Sequence, residues 1–205
     1  KPTTTAKPAS TTTPEFDKLP EHQDGQKTFT YAGIGSRNTP KLVLAKMAEI
    51  AKKLEELGYT LQSGGAKGAD SAFESGTDTK QIFTTKDATD TTRKIAAEMH
   101  PNPSALKEYV LNLMARNTNQ VFGANLDTPA DFVLYWAEPS NNPDRPKGGT
   151  GQAVEMANRK GIPTINMMDD NWLEQLEAIT TADTPTETET TSDSTTEAQP
   201  EVGEN

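Results

Sequence analysis

The stretch GGTGQAVE, residues 148–155, places three glycines and a glutamate at the start of a helical pattern. Gly148, Gly149 and Gly151 would let the backbone approach a phosphate closely, and the N–H groups that open a helix favour an anion there. Glu155 follows about one turn inside the helix predicted from residue 151, where a carboxylate could stabilise an oxocarbenium-like state and orient water. The stretch predicts a phosphate site beside a carboxylate, and a plain turn into a helix is the alternative.

Two further glycine-bearing turns carry polar and basic residues that suit a phosphate-containing ligand. They are GIGSRN at residues 33–38 and SGGAKGAD at residues 63–70. The first lacks the third glycine of the dinucleotide fingerprint, because Asn38 stands there, and the second does not fit the P-loop pattern. These departures argue against an NAD enzyme and a P-loop NTPase. They leave open that each glycine only permits a tight turn.

Short β-rich runs alternate with helical patterns across residues 27–180, and these elements must position the turns. We predict strands at residues 28–35, 59–65, 81–85, 131–137 and 163–168. We predict helices at residues 40–58, 68–76, 89–99, 104–122, 151–160 and 171–179. The alternation favours an α/β fold, a single Rossmann-like domain with a mostly parallel sheet and helices on both faces. Ligands of such folds bind at the carboxyl ends of the strands, where all three turns are predicted to lie.

Two terminal segments differ in composition from the rest of the chain. Residues 1–26 and 181–205 are rich in Thr, Pro, Ser and acidic residues and are nearly free of large apolar side chains, so we predict that both are disordered tails. Much of the net charge of −10 comes from the C-terminal tail, which has seven acidic residues and no Lys or Arg. The central domain is therefore close to neutral and has no overall basic character that would favour nucleic acid.

Composition also excludes several classes of site. The chain has no cysteine, and its two histidines, His22 and His100, are far apart, so we expect neither thiol chemistry nor a metal site. No apolar run approaches the ~18 residues of a membrane-spanning helix. We therefore expect no membrane partner and no cofactor.

Seven segments, in this order along the chain, resemble the SLOG superfamily: GIGSRNTP, SGGAKGADSAFESG, HP, LMARNTNQVFG, TPADFVLYW, GGTGQAVEMA and GIPTIN. This group joins the Lonely-Guy nucleotide phosphoribohydrolases with the DNA-processing protein A family. The likeness covers roughly residues 29 to 170 and is greatest to small phage and bacterial members. It implies a protein of the cytoplasm of a bacterial or phage-infected cell, and a homodimer or higher homo-oligomer.

The phosphoribohydrolase branch of this family cleaves the N-glycosidic bond of a nucleoside 5′-monophosphate. Its signature P-G-G-x-G-T-x-x-E is matched here by the three glycines and Glu155, while Lys147 replaces the Pro and Gln152 the Thr. Arg116 stands where the family has a helical arginine. The resemblance thus implies Glu155 and Arg116 as the catalytic pair, whereas a salt bridge between two helices is the structural alternative.

The remaining candidates come from the three turns and from two neighbouring positions. We predict that the nucleotide or its phosphate is bound by residues Gly35, Ser36, Arg37, Ser63, Gly64, Gly65, Lys67, Asn117, Gly148, Gly149, Thr150, Gly151 and Gln152. Asp70 and Trp136 are candidates for contacts to the sugar or base, although Asp70 could equally start a helix and Trp136 could belong to the core.

Three functions fit these residues. The leading hypothesis is hydrolysis of a nucleoside 5′-phosphate. Binding of single-stranded DNA is the alternative, which the slightly acidic domain and its few aromatic residues disfavour. Sensing or sequestration of a signalling nucleotide without turnover is the third, because Gln152 removes one hydroxyl from the signature.

Overall fold

The computed structural model describes residues 12–181. Residues 1–11 and 182–205, which composition assigns to the two tails, lie outside the described part of the chain. The five strands are β1 (Thr30–Gly35), β2 (Thr60–Ser63), β3 (Lys80–Ile82), β4 (Phe132–Trp136) and β5 (Thr164–Asn166). The helices are α1 (Lys41–Glu56), α2 (Ala69–Ser75), α3 (Asp90–Glu98), α4 (Glu108–Phe122), α5 (Gly148–Arg159) and α6 (Trp172–Thr181).

The strands form one parallel sheet in the order β3-β2-β1-β4-β5. The chain winds outward from β1 to β3, then crosses back to add β4 and β5 on the other side, as in doubly wound nucleotide-binding folds. The fold is Rossmann-like. The predicted α/β class is confirmed.

Both faces of the sheet are covered by helices, and the side chains of β4 show how. Phe132, Leu134 and Trp136 are buried in the cluster that includes α1, α2 and α6, while Val133 and Tyr135 are buried in the cluster that includes α5. A strand sends alternate side chains to opposite faces, so a strand covered on both faces reads as the continuous apolar run FVLYW. No helix among the described residues is long and apolar enough to cross a membrane.

The first turn of α5 is the main difference from the predicted elements. The helix starts at Gly148 rather than at Gly151, so that GGTG forms its first turn and is not a loop ahead of it. The sequence did not predict this start, because glycine has a low intrinsic preference for helix. Everything after the GGTG stretch therefore lies further along the helix than the sequence suggests.

The packed chain begins earlier than the composition predicts. Within the predicted tail at residues 1–26, Phe16 is 3% exposed and Leu19 is 6% exposed, and both belong to the core cluster on the α5 side of the sheet. The Glu98 carboxylate accepts hydrogen bonds from the backbone N–H of residues 15 and 16, at 3.0 and 2.9 Å. The Arg159 guanidinium lies over the Phe16 ring, 4.3 Å from its centre. The tail was predicted from the composition of 26 residues taken together, and this average missed two apolar side chains that pack into the core.

Candidate functional site

A cleft of about 1180 Å³ lies at the carboxyl ends of β1 to β4. Its walls are the turn after β1, the glycine loop after β2, residues 84–85 after β3, the chain that leads into α5, and one face of α4. It includes the point between β1 and β4 where the winding of the chain reverses. The connections that follow these two strands leave toward opposite faces of the sheet, which opens a crevice between them. Of the predicted site residues, the lining includes Gly35, Ser36, Arg37, Gly64, Gly65, Lys67, Asp70, Arg116, Asn117, Gly148, Gly149 and Thr150.

The N-terminus of α5 opens into this cleft. Gly148, Gly149 and Thr150 line it, and the first turn carries no acidic side chain. The residue before the helix, Lys147, makes no side-chain cap. The first N–H groups of a helix have no intrahelical acceptor, and the helix dipole adds a partial positive charge at the same place. This end of α5 therefore has the geometry of an anion site.

The opposite wall of the cleft is built around Gly64, between Arg116 of α4 and Asp70 of α2. The Arg116 guanidinium donates a hydrogen bond to the carbonyl oxygen of Gly64. A side chain at position 64 would collide with that guanidinium and lie 2.8 Å from an Asp70 carboxyl oxygen, so a larger residue would displace the guanidinium from this place. The glycine loop after β2 thus serves close packing, and it fixes where the guanidinium lies in the cleft.

Asp70 is 5% exposed, although it lines the cleft. Its carboxyl accepts the backbone N–H of Ala66 at 3.2 Å. Burial raises the pKa of Asp70 to about 6, against the positive charge of Arg116, which lowers it. The charge of this wall therefore changes in the physiological pH range.

The cleft is cationic although the domain is not. Its lining contains one acidic residue, Asp70, and the five basic residues Arg37, Lys67, Arg116, Arg145 and Lys147. The sequence analysis missed Arg145, which no spacing or motif distinguishes within the run EPSNNPDRPK. Among residues 12–181, no group of three or more His, Asp or Glu side chains is arranged to hold a metal ion.

Glu155 pairs with Arg145 and not with Arg116. The distance between the Arg145 guanidinium nitrogen and the Glu155 carboxylate oxygen is 2.7 Å, and the same arginine donates to the carbonyl of Met99 at 3.0 Å. Because α5 begins at Gly148, Glu155 lies two turns into the helix rather than one. It is therefore further from the helix start that opens into the cleft, and it is not part of the lining. The structure does not bring the two predicted catalytic residues together.

Four further candidates lie in the interior rather than in the cleft lining. Trp136 is 8% exposed and packs on the α1 side of the sheet, which its position in the alternation of β4 requires. The buried Ser63 hydroxyl donates to the Glu74 carboxylate at 2.6 Å. The buried Gln152 accepts from the Asn117 amide at 3.0 Å, which joins α4 to the start of α5.

Gly151 is the fourth, and it allows a prediction about the GGTG stretch. A side chain there would collide with the carbonyl oxygen of Pro146, whereas one at Gly149 would meet nothing within 4 Å. Gly151→Ala should therefore lower the urea midpoint of unfolding by the equivalent of about 1–3 kcal/mol, a typical overpacking cost. The matched variant Gly149→Ala should unfold like the unaltered protein and change only anion binding. Equal midpoints for the two variants would contradict this assignment.

Comparison with known proteins yields one distant structural neighbour. No protein-family model matches the sequence, and no curated protein matches it. Among solved structures the chain is similar to DNA processing protein A from Helicobacter pylori, described for its single-stranded DNA binding mode. The two share 15% sequence identity with a TM-score of 0.45, over 80% of this chain and 74% of that chain. The SLOG resemblance of the motifs stays a prediction.

Proposed function

We propose that this chain binds a nucleotide unit in the cleft, with a phosphate at the N-terminus of α5. The observation that carries the proposal is the uncapped first turn of α5, which opens into the cleft without an acidic side chain. A helix N-terminus of this kind takes phosphate through backbone N–H groups and the helix dipole together. The remaining walls supply positive charge to the same space.

Two of the five basic residues of the cleft, Arg145 and Lys147, pair with Glu155 and Glu138. The other three divide into two groups by position. Arg37 and Lys67 are exposed at the rim of the cleft. There they can attract and contact an anionic ligand without breaking an ion pair to another residue of the lining. Arg116 is only partly exposed and is held against Gly64, so its charge is fixed in place before a ligand arrives. A fixed guanidinium loses little conformational entropy on binding, which favours phosphate recognition.

Two sources of the nucleotide unit share this chemistry: a free nucleoside phosphate and a segment of single-stranded nucleic acid. A volume of about 1180 Å³ exceeds the ~300–1000 Å³ typical of small-molecule pockets, so the cleft has room for more than one nucleotide. The cationic rim would suit the backbone of a strand that continues beyond the cleft. The experiment must therefore contain both ligands.

Hydrolysis of the glycosidic bond stays a separate prediction. The carboxylate that the resemblance implies as catalytic, Glu155, is engaged by Arg145 and is not part of the cleft lining, where Asp70 is the one acidic residue. Binding without turnover needs no such group and is the function that the geometry supports best. Chromatography of each binding mixture for free base would test the hydrolytic hypothesis directly.

Titration calorimetry at low salt tests the proposed function with four probes. These are a panel of nucleoside 5′-monophosphates, the matching nucleosides, inorganic phosphate, and a short single-stranded oligonucleotide without a terminal phosphate. We expect the monophosphates to bind at least tenfold more tightly than the nucleosides, because the phosphate supplies charge-assisted hydrogen bonds. Binding of the oligonucleotide more tightly than any monophosphate would identify a strand as the ligand. Absence of binding by every phosphate-bearing probe would overturn the proposal.

The rim cations give this experiment a matched pair of variants. Lys67→Ala should weaken binding and reduce its dependence on salt concentration, because one cation fewer contacts the ligand. Lys52→Ala removes the same charge from an exposed position on α1, outside the cleft, and should bind like the unaltered protein. Equal losses in the two variants would show that only overall charge matters. The homo-oligomer implied by the family resemblance stays a prediction that sedimentation velocity can check.

A further inference from the structure

The mouth of the cleft carries an exposed apolar surface at the start of α4. Tyr109 is 67% exposed and Val110 is 39% exposed, and both line the cleft. Both lie in the first turn of a helix whose second half is almost entirely buried, from Met114 to Phe122. An exposed aromatic ring at the edge of a polar cavity offers a flat apolar surface that a planar group of a ligand can contact.

The same face of α4 runs from this apolar mouth down to the cationic floor. Tyr109, Leu113, Asn117 and Gln120 follow the spacing of one helical face, and all of them line the cleft together with Arg116. Arg116 lies seven residues beyond Tyr109, which is about 10 Å along the helix axis. This end of α4 adjoins the N-terminus of α5, because the Asn117 amide donates to the carbonyl oxygen of Gly149 at 3.4 Å. The separation is therefore on the scale of one nucleotide, from its phosphate to the far edge of its base.

The buried end of this face carries donors that have no partner within the protein. The Gln120 side-chain nitrogen and the Arg116 Nε are both buried, and neither has a hydrogen-bond partner among the described residues. Buried donors are normally satisfied, so an acceptor that enters the cleft would be favoured at this end. The polar part of a ligand is thereby directed to the floor, and its apolar part is left for the mouth.

We infer that Tyr109, supported by Val110, is the surface on which the base of the bound nucleotide stacks. The inference rests on the proposed function, because it requires a nucleotide whose phosphate lies at the N-terminus of α5. Every base has a π-face that an aromatic ring can contact, so this surface would favour nucleotides over sugar phosphates without selecting strongly among bases. Among the described residues that line the cleft, Tyr109 has the one phenolic or phenyl ring, which predicts one stacked base per site.

Two ligands that share the phosphate and the sugar separate this inference from the proposed function. We compare a nucleoside 5′-monophosphate with ribose 5-phosphate by titration calorimetry, on the unaltered full chain and on Tyr109→Ala. Tyr109→Ala should weaken monophosphate binding roughly 5- to 150-fold, the range for loss of one base–aromatic stack. Binding of ribose 5-phosphate should be unchanged, and Tyr109→Phe should retain the affinity of the unaltered chain for the monophosphate.

Leu42→Ala is the matched control, because Leu42 is 83% exposed on α1 and lies outside the cleft lining. A side chain as exposed as Tyr109 contributes little to folding, so the Tyr109→Ala variant should unfold at the same urea concentration as this control. In a Tyr109→Trp variant, tryptophan emission should change with the monophosphate and not with ribose 5-phosphate.

Each outcome decides between the two proposals. Unchanged monophosphate affinity in Tyr109→Ala, or an equal loss for both ligands, would overturn the stacking role while the phosphate site stands. If the unaltered chain binds neither ligand, the stacking role fails, and the proposed function fails with it when the oligonucleotide is not bound either.

Discussion

Arg116→Ala should lower the affinity of the cleft for phosphate-bearing ligands roughly 10- to 100-fold, the range for one hydrogen bond to a charged group. It should also destabilise the fold. The guanidinium lies beside the buried carboxyl of Asp70, and its charge opposes the effect of burial on that group. Without it, the pKa of Asp70 should rise further, and the free energy of unfolding should fall by about 1–3 kcal/mol at neutral pH. Urea denaturation and titration calorimetry measure the two effects separately.

The double variant Arg116→Ala, Asp70→Asn distinguishes the two roles of the arginine. Removing the carboxylate should restore most of the stability, because no charged group is then left buried without a counter-charge. It should not restore binding. If Arg116→Ala alone keeps full affinity, the only role of Arg116 is to hold the Gly64 loop. A double variant no more stable than Arg116→Ala would show that the two residues do not interact.

The protein should lose stability as the pH rises from about 4 to about 6, because Asp70 keeps its proton longer in the folded state than in the unfolded state. Burial raises the pKa of this carboxyl from 3.8 to about 6. Between these values the folded state binds more protons, so the free energy of unfolding decreases with pH, and above about 6 the decrease ends. Two pKa units correspond to about 3 kcal/mol. Asp70→Asn should abolish this pH-dependent decrease in the free energy of unfolding, and the variant should be more stable than the unaltered protein above pH 6.

Ligand affinity should follow the same titration as stability and in the same direction, increasing toward low pH. Protonation of Asp70 leaves the charge of Arg116 uncompensated, so affinity for an anion should rise as the pH falls from 7 to 5. The probe should contain phosphodiesters only, because a phosphate monoester itself changes charge near pH 6. Glu74 and the N–H groups of Ala66 and Gly64 also act on Asp70.

The comparison with Asp70→Asn is essential, because the imidazole of His100 lines the same cleft. Affinity of the Asp70→Asn variant should vary less with pH than that of the unaltered chain. If both proteins show the same pH dependence, Asp70 is not its source.

The sequence by itself determined the order of elements and the edge of the sheet where a ligand would bind. Apolar periodicity predicted α1, through Leu44, Met47, Ile50, Ala51, Leu54 and Leu57. The middle four are buried, Leu44 is partly buried, and Leu57, just past the helix end, is 54% exposed. The continuous apolar run at β4 predicted a strand covered on both faces. Such patterns are local, since they depend only on the repeat of the helix or strand, and a parallel sheet then brings the glycine turns to one edge.

Only the tertiary structure decided which side chains meet at that edge. Because glycine disfavours helix, the first turn of α5 was not predicted from the sequence. Glu155 was therefore placed one turn too close to the predicted phosphate site and was paired with Arg116. In the structure Glu155 forms an ion pair with Arg145, which belongs to a loop without any periodic pattern. A pairing between a loop and a helix depends on how the chain folds back in space, and neither propensity nor spacing encodes that distance.

The cationic character of the cleft is the second feature that only the tertiary structure decided. Composition describes a domain that is slightly acidic overall, yet five basic residues from separate segments line one cleft with a single carboxylate. Net charge sums over the whole surface, whereas a ligand responds to the few charges within a Debye length of about 8–10 Å. Composition fixed how many charges the domain carries, and the fold alone placed them around one cleft.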